Sequence, residues 1–229
     1  MTGIQSAEDL IAHAKLNAPD ETPRVSVIVL SHRPDCYPRA LASVAAQTYE
    51  NVETILLHHK RYELDKFNRA ALGASGKYLV FLPDDDELLP TFVARHVEEA
   101  ERVNADVVYS DLYVTGPLLL KFQLPAFDRE ILRLHCVPYF TFMVRADFWR
   151  TLPNGYQGHP GGWDGSLSHC DWDAGIRMYA AGAKVVHLER EFLWNRAHHA
   201  QSASLLMTKD QADAALVALR RKHAVSVLG

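Results

Sequence analysis

Apolar runs of five or six residues alternate with segments of helical period through the first half of the chain. Val25 to Leu30 is an unbroken β-branched and apolar run, the pattern of a strand buried on both faces. Asp35 is placed to cap a helix reaching Gln47, with Tyr37, Leu41 and Val44 on one face. Val52 to Leu57 and Tyr78 to Leu82 read as further strands. Between them Leu64 to Leu72 predicts a short helix ending near Gly73 and Gly76. Leu89 to Val103 predicts a helix with Phe92, Val93, Val97 and Ala100 on its buried side, and Asp106 to Tyr109 a fourth strand. Such alternation predicts a parallel sheet with right-handed crossovers and helices on both faces.

The second half is less regular. Leu118 to Gln123 and Tyr139 to Val144 read as strands, and Ala126 to Leu134 as a helix. Gly155 to Gly165 holds five glycines in eleven residues, together with Pro160 and Trp163, and predicts a long loop. A helix follows from Asp171 to Ala181, with Trp172, Ile176 and Tyr179 on the inward face and Gly182 as the stop. Asp173 and Arg177 are expected as an i,i+4 pair on its exposed side. Val185 to Leu188 and Glu191 to Trp194 close the pattern as two strands. The expected organisation is an N-terminal helix (residues 6 to 16) and linker over 1–22, one domain over 23–205 with halves 23–111 and 112–205, and a C-terminal helix over 206–229. No internal repeat or low-complexity tract interrupts it.

Composition narrows the function classes. The chain has 229 residues, enough for one sizeable core, and is 48% hydrophobic and 23% charged, as soluble globular proteins are. A net charge of -4 argues against non-specific nucleic-acid binding, which needs a concentrated basic face. No apolar run approaches the ~20 residues of a spanning helix, and no signal-peptide core is seen. Cys36, Cys136 and Cys170 lack metal-ligand spacing and read as reduced thiols of a cytoplasmic protein.

The stretch with most chemistry is Asp84-Asp85-Asp86-Glu87, which follows Pro83 at the carboxyl end of the third strand. Open α/β sheets bind ligands at that end. Adjacent carboxylates repel one another and favour a hard cation that bridges to phosphate. The rival reading is a solvated acidic turn ahead of the helix near Pro90.

Six segments, in order, resemble family-2 glycosyltransferases of the GT-A fold, over roughly Arg24 to Ser204. Val25 to Arg33 lies where that family has a strand and a Pro-Thr-Tyr-Asn-like turn; Leu41 through Gln47-Thr48-Tyr49 matches its "SLLAQTY" helix. Asn68 through Ala74, with Gly76 and Tyr78, matches its approach to the metal motif, and Asp84-Asp85-Asp86 with Pro90 its Asp-x-Asp region. Cys170-Asp171-Trp172-Asp173 with Arg177 and Gly182 matches its Glu-Asp-Trp-Asp helix, and Trp194 to His198 its closing Tyr-Arg-x-His.

The resemblance implies an α/β fold: a Rossmann-like, mostly parallel sheet with helices on both faces and a smaller mixed C-terminal acceptor region. It implies a metal-dependent, inverting transfer of a sugar from a nucleotide-diphosphate donor to an acceptor hydroxyl, in bacterial surface glycan or related conjugate synthesis. Mn²⁺ or Mg²⁺ would be held by Asp85, Asp84 and His198. Donor contacts would come from Ser31, His32, His59, Asn68, Asp84 and Arg196, and Asp171 would be the base. Trp163 and Asp164 would meet the acceptor; Trp163 stacks on a sugar or plugs the loop. Asp171 as a plain helix cap, and Ala197-His198-His199-Ala200 as a polar turn, are the rival readings of those positions.

Three departures mark the chain. His58-His59-Lys60 stands where the family has an acidic pair at the nucleobase, Pro83 replaces the first acid of the motif, and Cys170 replaces the Glu before the base. The alternatives are a non-catalytic sugar-nucleotide-binding module, a nucleotidyltransferase, which would want a Gly-rich turn after the first strand, and a carboxylate-pair glycosidase. A lipid-linked acceptor would bring the cytoplasmic chain to the inner face of the membrane; donor sugar, nucleobase and oligomeric state are left open.

Overall fold

Every residue of β1 (Val25–Ser31) is buried, as its unbroken apolar run requires of a central strand. Parallel neighbours flank it, β2 (Val52–His58) and β3 (Tyr78–Pro83), with Val25 opposite both Val52 and Tyr78. The computed structural model describes residues 22–31, 33, 35–58, 64–116, 119–152, 170–197 and 208–223. The expected helix over 6–16 and the Gly-rich segment 155–165 lie outside the described residues, as do His32, His59, Trp163, Asp164 and His198.

The crossovers are α1 (Tyr37–Ala45) and α2 (Leu64–Gly73). α1 starts later than expected: its N-cap is Cys36, not Asp35, because Pro38 occupies the first turn, where its missing N–H costs nothing. It also ends before Gln47. That side chain instead donates to the carbonyls of Ser43 (3.0 Å) and Leu89 (2.8 Å) and accepts from the amide of Val93 (2.9 Å). Gly76 approaches β1 so closely that a Cβ there would lie 2.6 Å from the Ser26 nitrogen; its own N–H donates to Ser26 Oγ at 2.9 Å.

Beyond the acidic turn come β4 (Glu87–Leu88) and α3 (Phe92–Val103). The expected helix start at Leu89 is wrong because the residue before a proline is pushed out of helical space; Leu89 donates to the Leu193 carbonyl at 2.8 Å instead. α3 closes on Asn104 in the left-handed conformation, φ 52°, and its His96 is fully buried with Nδ1 2.7 Å from the Phe92 carbonyl.

β5 (Val107–Thr115) is longer than the four residues expected, and it buries Ser110 and Asp111 completely. β6 (Leu120–Phe122) pairs with it antiparallel. β7 (Met143–Arg145) is shorter than expected, and β8 (Val185–Ala197) is one strand where two were expected. Asp111 explains the join. Its carboxylate accepts from the amides of Leu124 (2.9 Å) and Arg190 (2.7 Å) and lies 2.7 Å from His187 Nε2. That holds an irregularity in which Leu188 pairs with Ser110 but Phe192 with Asp111, with Arg190 at φ 63°.

The strand order is β2-β1-β3-β7-β5-β8-β4, with β6 beside β5. The sheet is therefore mixed, against the expectation of parallel pairing through the fourth strand: β7 runs antiparallel between β3 and β5. An apolar run buried on both faces carries no information on strand direction, so periodicity could not reveal this.

Four helices complete the described chain. α4 (Arg129–Leu134) starts at Asp128, whose side chain accepts the Ile131 amide at 2.9 Å, and α5 (Ala146–Thr151) seats Trp149 on Phe81 with ring centroids 4.9 Å apart. α6 (Cys170–Ala180) packs so tightly on the turn before β7 that a Cβ on Gly175 would sit 2.2 Å from the Val137 carbonyl oxygen. Its faces are not those expected: Asp173 is 0% exposed and Arg177 5%, whereas Tyr179 is 37% exposed. α7 (Lys209–His223) covers that side, with Leu219 packed on Leu132, Trp172 and Ile176. His223 and Lys222 reach Asp173 Oδ1 at 2.7 and 2.8 Å, and Arg177 Nε reaches Oδ2 at 2.8 Å.

Candidate functional site

β1 and β3 run in parallel and end together, Leu30 opposite Pro83, so the residues leaving each strand meet. Ser31, fully buried, closes β1, and Arg33 follows it; Asp84, Asp85 and Asp86 follow β3. Asp84 is fully buried. Its Oδ2 accepts the backbone N–H of Arg33 at 2.9 Å, and its Oδ1 accepts Arg33 Nε at 3.0 Å and also Nη2. The same Nη2 lies 2.9 Å from Asp85 Oδ1, so one guanidinium nitrogen spans both carboxylates. Burial works against the charged guanidinium, but the bond to Asp84 and the charges of both aspartates raise its pKa above the ordinary value.

Asp86 takes a different part. It is buried, and its Oδ1 accepts the Ala197 amide at 3.2 Å. Burial first, then the neighbouring Asp85, pushes its pKa well above the usual carboxylate range, with Arg196 pulling the other way. The pairing of Glu87 with Asn195 and of Leu88 with Trp194 brings the end of β8 alongside the acidic turn. Gln47, Ser43 and Thr48 brace this turn from behind: Ser43 Oγ accepts the Leu88 amide at 3.0 Å, and the Thr48 amide donates to the Pro90 carbonyl at 2.8 Å.

Arg196 joins this corner to the second half of the chain. Its guanidinium sits 5.1 Å from the centroid of the Tyr139 ring, and its charge acts on Asp86, Tyr139 and Cys136 alike. Cys136 leads to Asp171. The thiol donates to the Pro138 carbonyl at 3.6 Å; burial, then the charge of Asp171, pushes its pKa well up. Asp171 stands in the first turn of α6, half-buried, and accepts the Trp172 amide at 3.0 Å. Cys170 beside it is buried, its thiol also pushed up by burial, so no second charge stands next to Asp171 from that side.

Of the expected site residues, Asp84, Asp85 and Ser31 gather at the ends of β1 and β3, Arg196 lies between Asn195 and Ala197, which pair with and donate to the acidic turn, and Asp171 stands at the start of α6. Asn68 is buried on α2. His32, His59, His198, Trp163 and Asp164 are outside the described residues. Arg33, Asp86, Cys136 and Tyr139 had no assigned part. Parallel register alone could have found Arg33, since a residue just past β1 must meet a residue just past β3. Among the described residues no group of three or more His, Cys, Asp or Glu side chains is arranged to hold a metal ion. The donor set is nevertheless of the right chemistry for a hard divalent ion: the Asp85 carboxylate, 13% exposed at the strand mouth, suits an ion that takes its other oxygens from phosphate and water.

No protein-family model and no curated protein matches the chain. Solved structures do. Residues 1–349 of the S. aureus glycosyltransferase TarS in complex with UDP-GlcNAc superimpose with a TM-score of 0.66 at 12% identity, over 90% of this chain and 68% of that one. The complex of the same piece with UDP gives 0.63 at 12%, over 90% and 67%. TarS itself gives 0.63 at 12%, over 90% of this chain and 40% of that one. At that identity the likeness shows the fold, a mixed α/β sheet with the architecture of these glycosyltransferase structures.

Proposed function

We propose that this chain is a glycosyltransferase that moves a sugar from a nucleoside-diphosphate donor to an acceptor hydroxyl in a single inverting displacement. The observation that carries the reading is the Asp84–Asp85 pair gathered where β1 and β3 end, with the Arg196 stretch of β8 tied to the same turn and Asp171 opening α6. A corner suited to a diphosphate and a carboxylate suited to a proton stand on a fold shared with TarS, whose structures include complexes with UDP-GlcNAc and with UDP.

Mn²⁺ or Mg²⁺, held by Asp85 with Asp84 beside it and completed by His198, would supply charge neutralisation for the departing diphosphate. Arg196, braced on Tyr139, contacts the same group from the β8 side. Ser31, His32, His59 and Asn68 would contact the nucleotide, as the family resemblance implies. Asp171, in the first turn of α6, takes the acceptor hydroxyl's proton as the new bond to carbon forms. Trp163 and Asp164 would meet the acceptor, a surface-glycan precursor or a lipid-linked hydroxyl. The chain works in the cytoplasm, at the inner membrane face when the acceptor is lipid-linked.

The test is calorimetric titration with UDP and UDP-GlcNAc, with and without Mn²⁺, followed by turnover of wild type and Asp171→Asn. Donor binding should survive the substitution while turnover falls by roughly 10²–10⁴-fold, the usual span of a general base. Binding without turnover in either protein would indicate a sugar-nucleotide-binding module, and no binding by a panel of sugar nucleotides would end the donor reading.

A further inference from the structure

Arg33 Nη2 occupies the bridging position between Asp84 Oδ1 and Asp85 Oδ1, the place a cation shared by two carboxylates would take. We propose that Arg33 is the resident counter-ion of this acid pair, that it closes the pair to a bare divalent cation, and that cation and diphosphate therefore enter together, with Arg33 handing Asp85 over and turning its Nη2 to the phosphate. The proposal rests on the donor reading above and deepens it.

Three features support it. The guanidinium is anchored on Asp84, which it meets through Nε and Nη2 while the Arg33 amide holds the other oxygen, so Arg33 stays at the site when Asp85 is released. Its planar fork matches phosphate as well as carboxylate, so exchange of one oxyanion for another conserves the hydrogen bond. Charge balance then sets the order of entry. A divalent ion arriving alone meets one guanidinium charge already seated between two carboxylates, and like charges at a few ångströms in a half-buried site repel strongly. A diphosphate arriving with the ion brings the negative charge that both cations require. Asp85, 13% exposed, is the outer member of the pair and the one a ligand reaches; Asp84 is not exposed at all.

The experiment measures Mn²⁺ binding through loss of the free-ion electron spin resonance signal, on the full chain, for wild type, Arg33→Met and Arg33→Lys. Wild type should bind Mn²⁺ alone weakly and at least ~10-fold more tightly once UDP is saturating. Arg33→Met should bind Mn²⁺ alone at least ~10-fold more tightly than wild type and lose most of that dependence on UDP. Arg33→Lys keeps the charge and should still exclude bare Mn²⁺, which also covers the case of an unstable Met variant. Adding Asp85→Asn to Arg33→Met should remove the gain and so locate the ion. Equal Mn²⁺ affinity in wild type and Arg33→Met would overturn the proposal, as would tight binding of bare Mn²⁺ by Arg33→Lys. Tighter Mn²⁺ binding by Arg33→Met, with UDP bound by neither protein, would leave the latch standing and overturn the coupled entry and the donor reading.

Discussion

Replacing Asp173 with Asn tests what fastens α7 to the body of the protein. The carboxylate is fully buried and meets Arg177 at 2.8 Å, Lys222 at 2.8 Å and His223 at 2.7 Å; the side chains of Arg177 and His223 are each 6% exposed. Burial raises its pKa, but the His223 bond and the charges of Arg177 and Lys222 outweigh it and hold the value at about 2, against an ordinary 3.8. A depression of that size corresponds to about 2 kcal/mol of stability, present above the ordinary carboxylate pKa and lost as pH falls from about 4 toward 2. Breaking a buried pair from one side costs about 3–5 kcal/mol, and partial hydration of Lys222, 27% exposed, moves the expectation to the lower end, about 3 kcal/mol. Urea unfolding followed by circular dichroism at pH 7 should show that loss, and the gap between wild type and Asp173→Asn should shrink by most of about 2 kcal/mol between pH 4 and pH 2. Hydrogen exchange should place the weakening first in Lys209–His223. A loss below about 1 kcal/mol at pH 7, or a gap indifferent to pH, would refute the reasoning and leave the contact of Leu219 with Trp172 and Ile176 as the fastening.

Two further outcomes are expected. Asp86→Asn should leave the melting temperature at pH 7 unchanged or higher. A carboxyl whose folded pKa is raised favours folding below its ordinary pKa and loses that advantage as pH rises, so a neutral amide removes the penalty; a clear drop at pH 7 that disappears at pH 4 would contradict the direction of the shift. Gly175→Ala should lower the melting temperature by about 2–8 °C, because its Cβ meets the Val137 carbonyl oxygen at 2.2 Å and overpacking by about 1–3 kcal/mol outweighs a helix-propensity gain of about 1 kcal/mol. Since α6 carries Asp171, kcat should fall more than donor affinity; a rise in melting temperature would show that α6 gives way freely.

The strands and helices of the N-terminal half were legible because each is a long run of one period: Val25 to Leu30, Tyr78 to Leu82 and the stripe through Val93, Val97 and Ala100 all lie where expected. Where a polar residue does structural work inside the core, the pattern misled. Asp111 and Ser110 interrupt the apolar run yet sit at the centre of β5, because Arg190, Leu124 and His187 satisfy the carboxylate. Asp173 and Arg177 read as a surface pair by spacing alone, and only α7, far along the chain, makes them interior. The acids past β3 stood out as a run of like charge at a strand end, but their partner Arg33 lies 51 residues earlier and becomes visible only when β1 and β3 are laid side by side. Cys136 and Tyr139 carried no signal, since a lone thiol and a lone phenol acquire meaning here only from what stands next to them.

The amide of Ala197 resting on Asp86 has a consequence for how the sequence of this corner could change over time. Because the far end of β8 is tied to the acidic turn, a substitution that nudges Arg196 also tugs on the carboxylates, and selection cannot adjust one without answering for the other. The same reach extends to β6, where Phe122 stacks on the Tyr139 ring that Arg196 overlies, with ring centroids 5.8 Å apart. Change at any one of Phe122, Tyr139, Arg196 and Asp86 is therefore felt at the others, and this corner of the fold would drift as a unit.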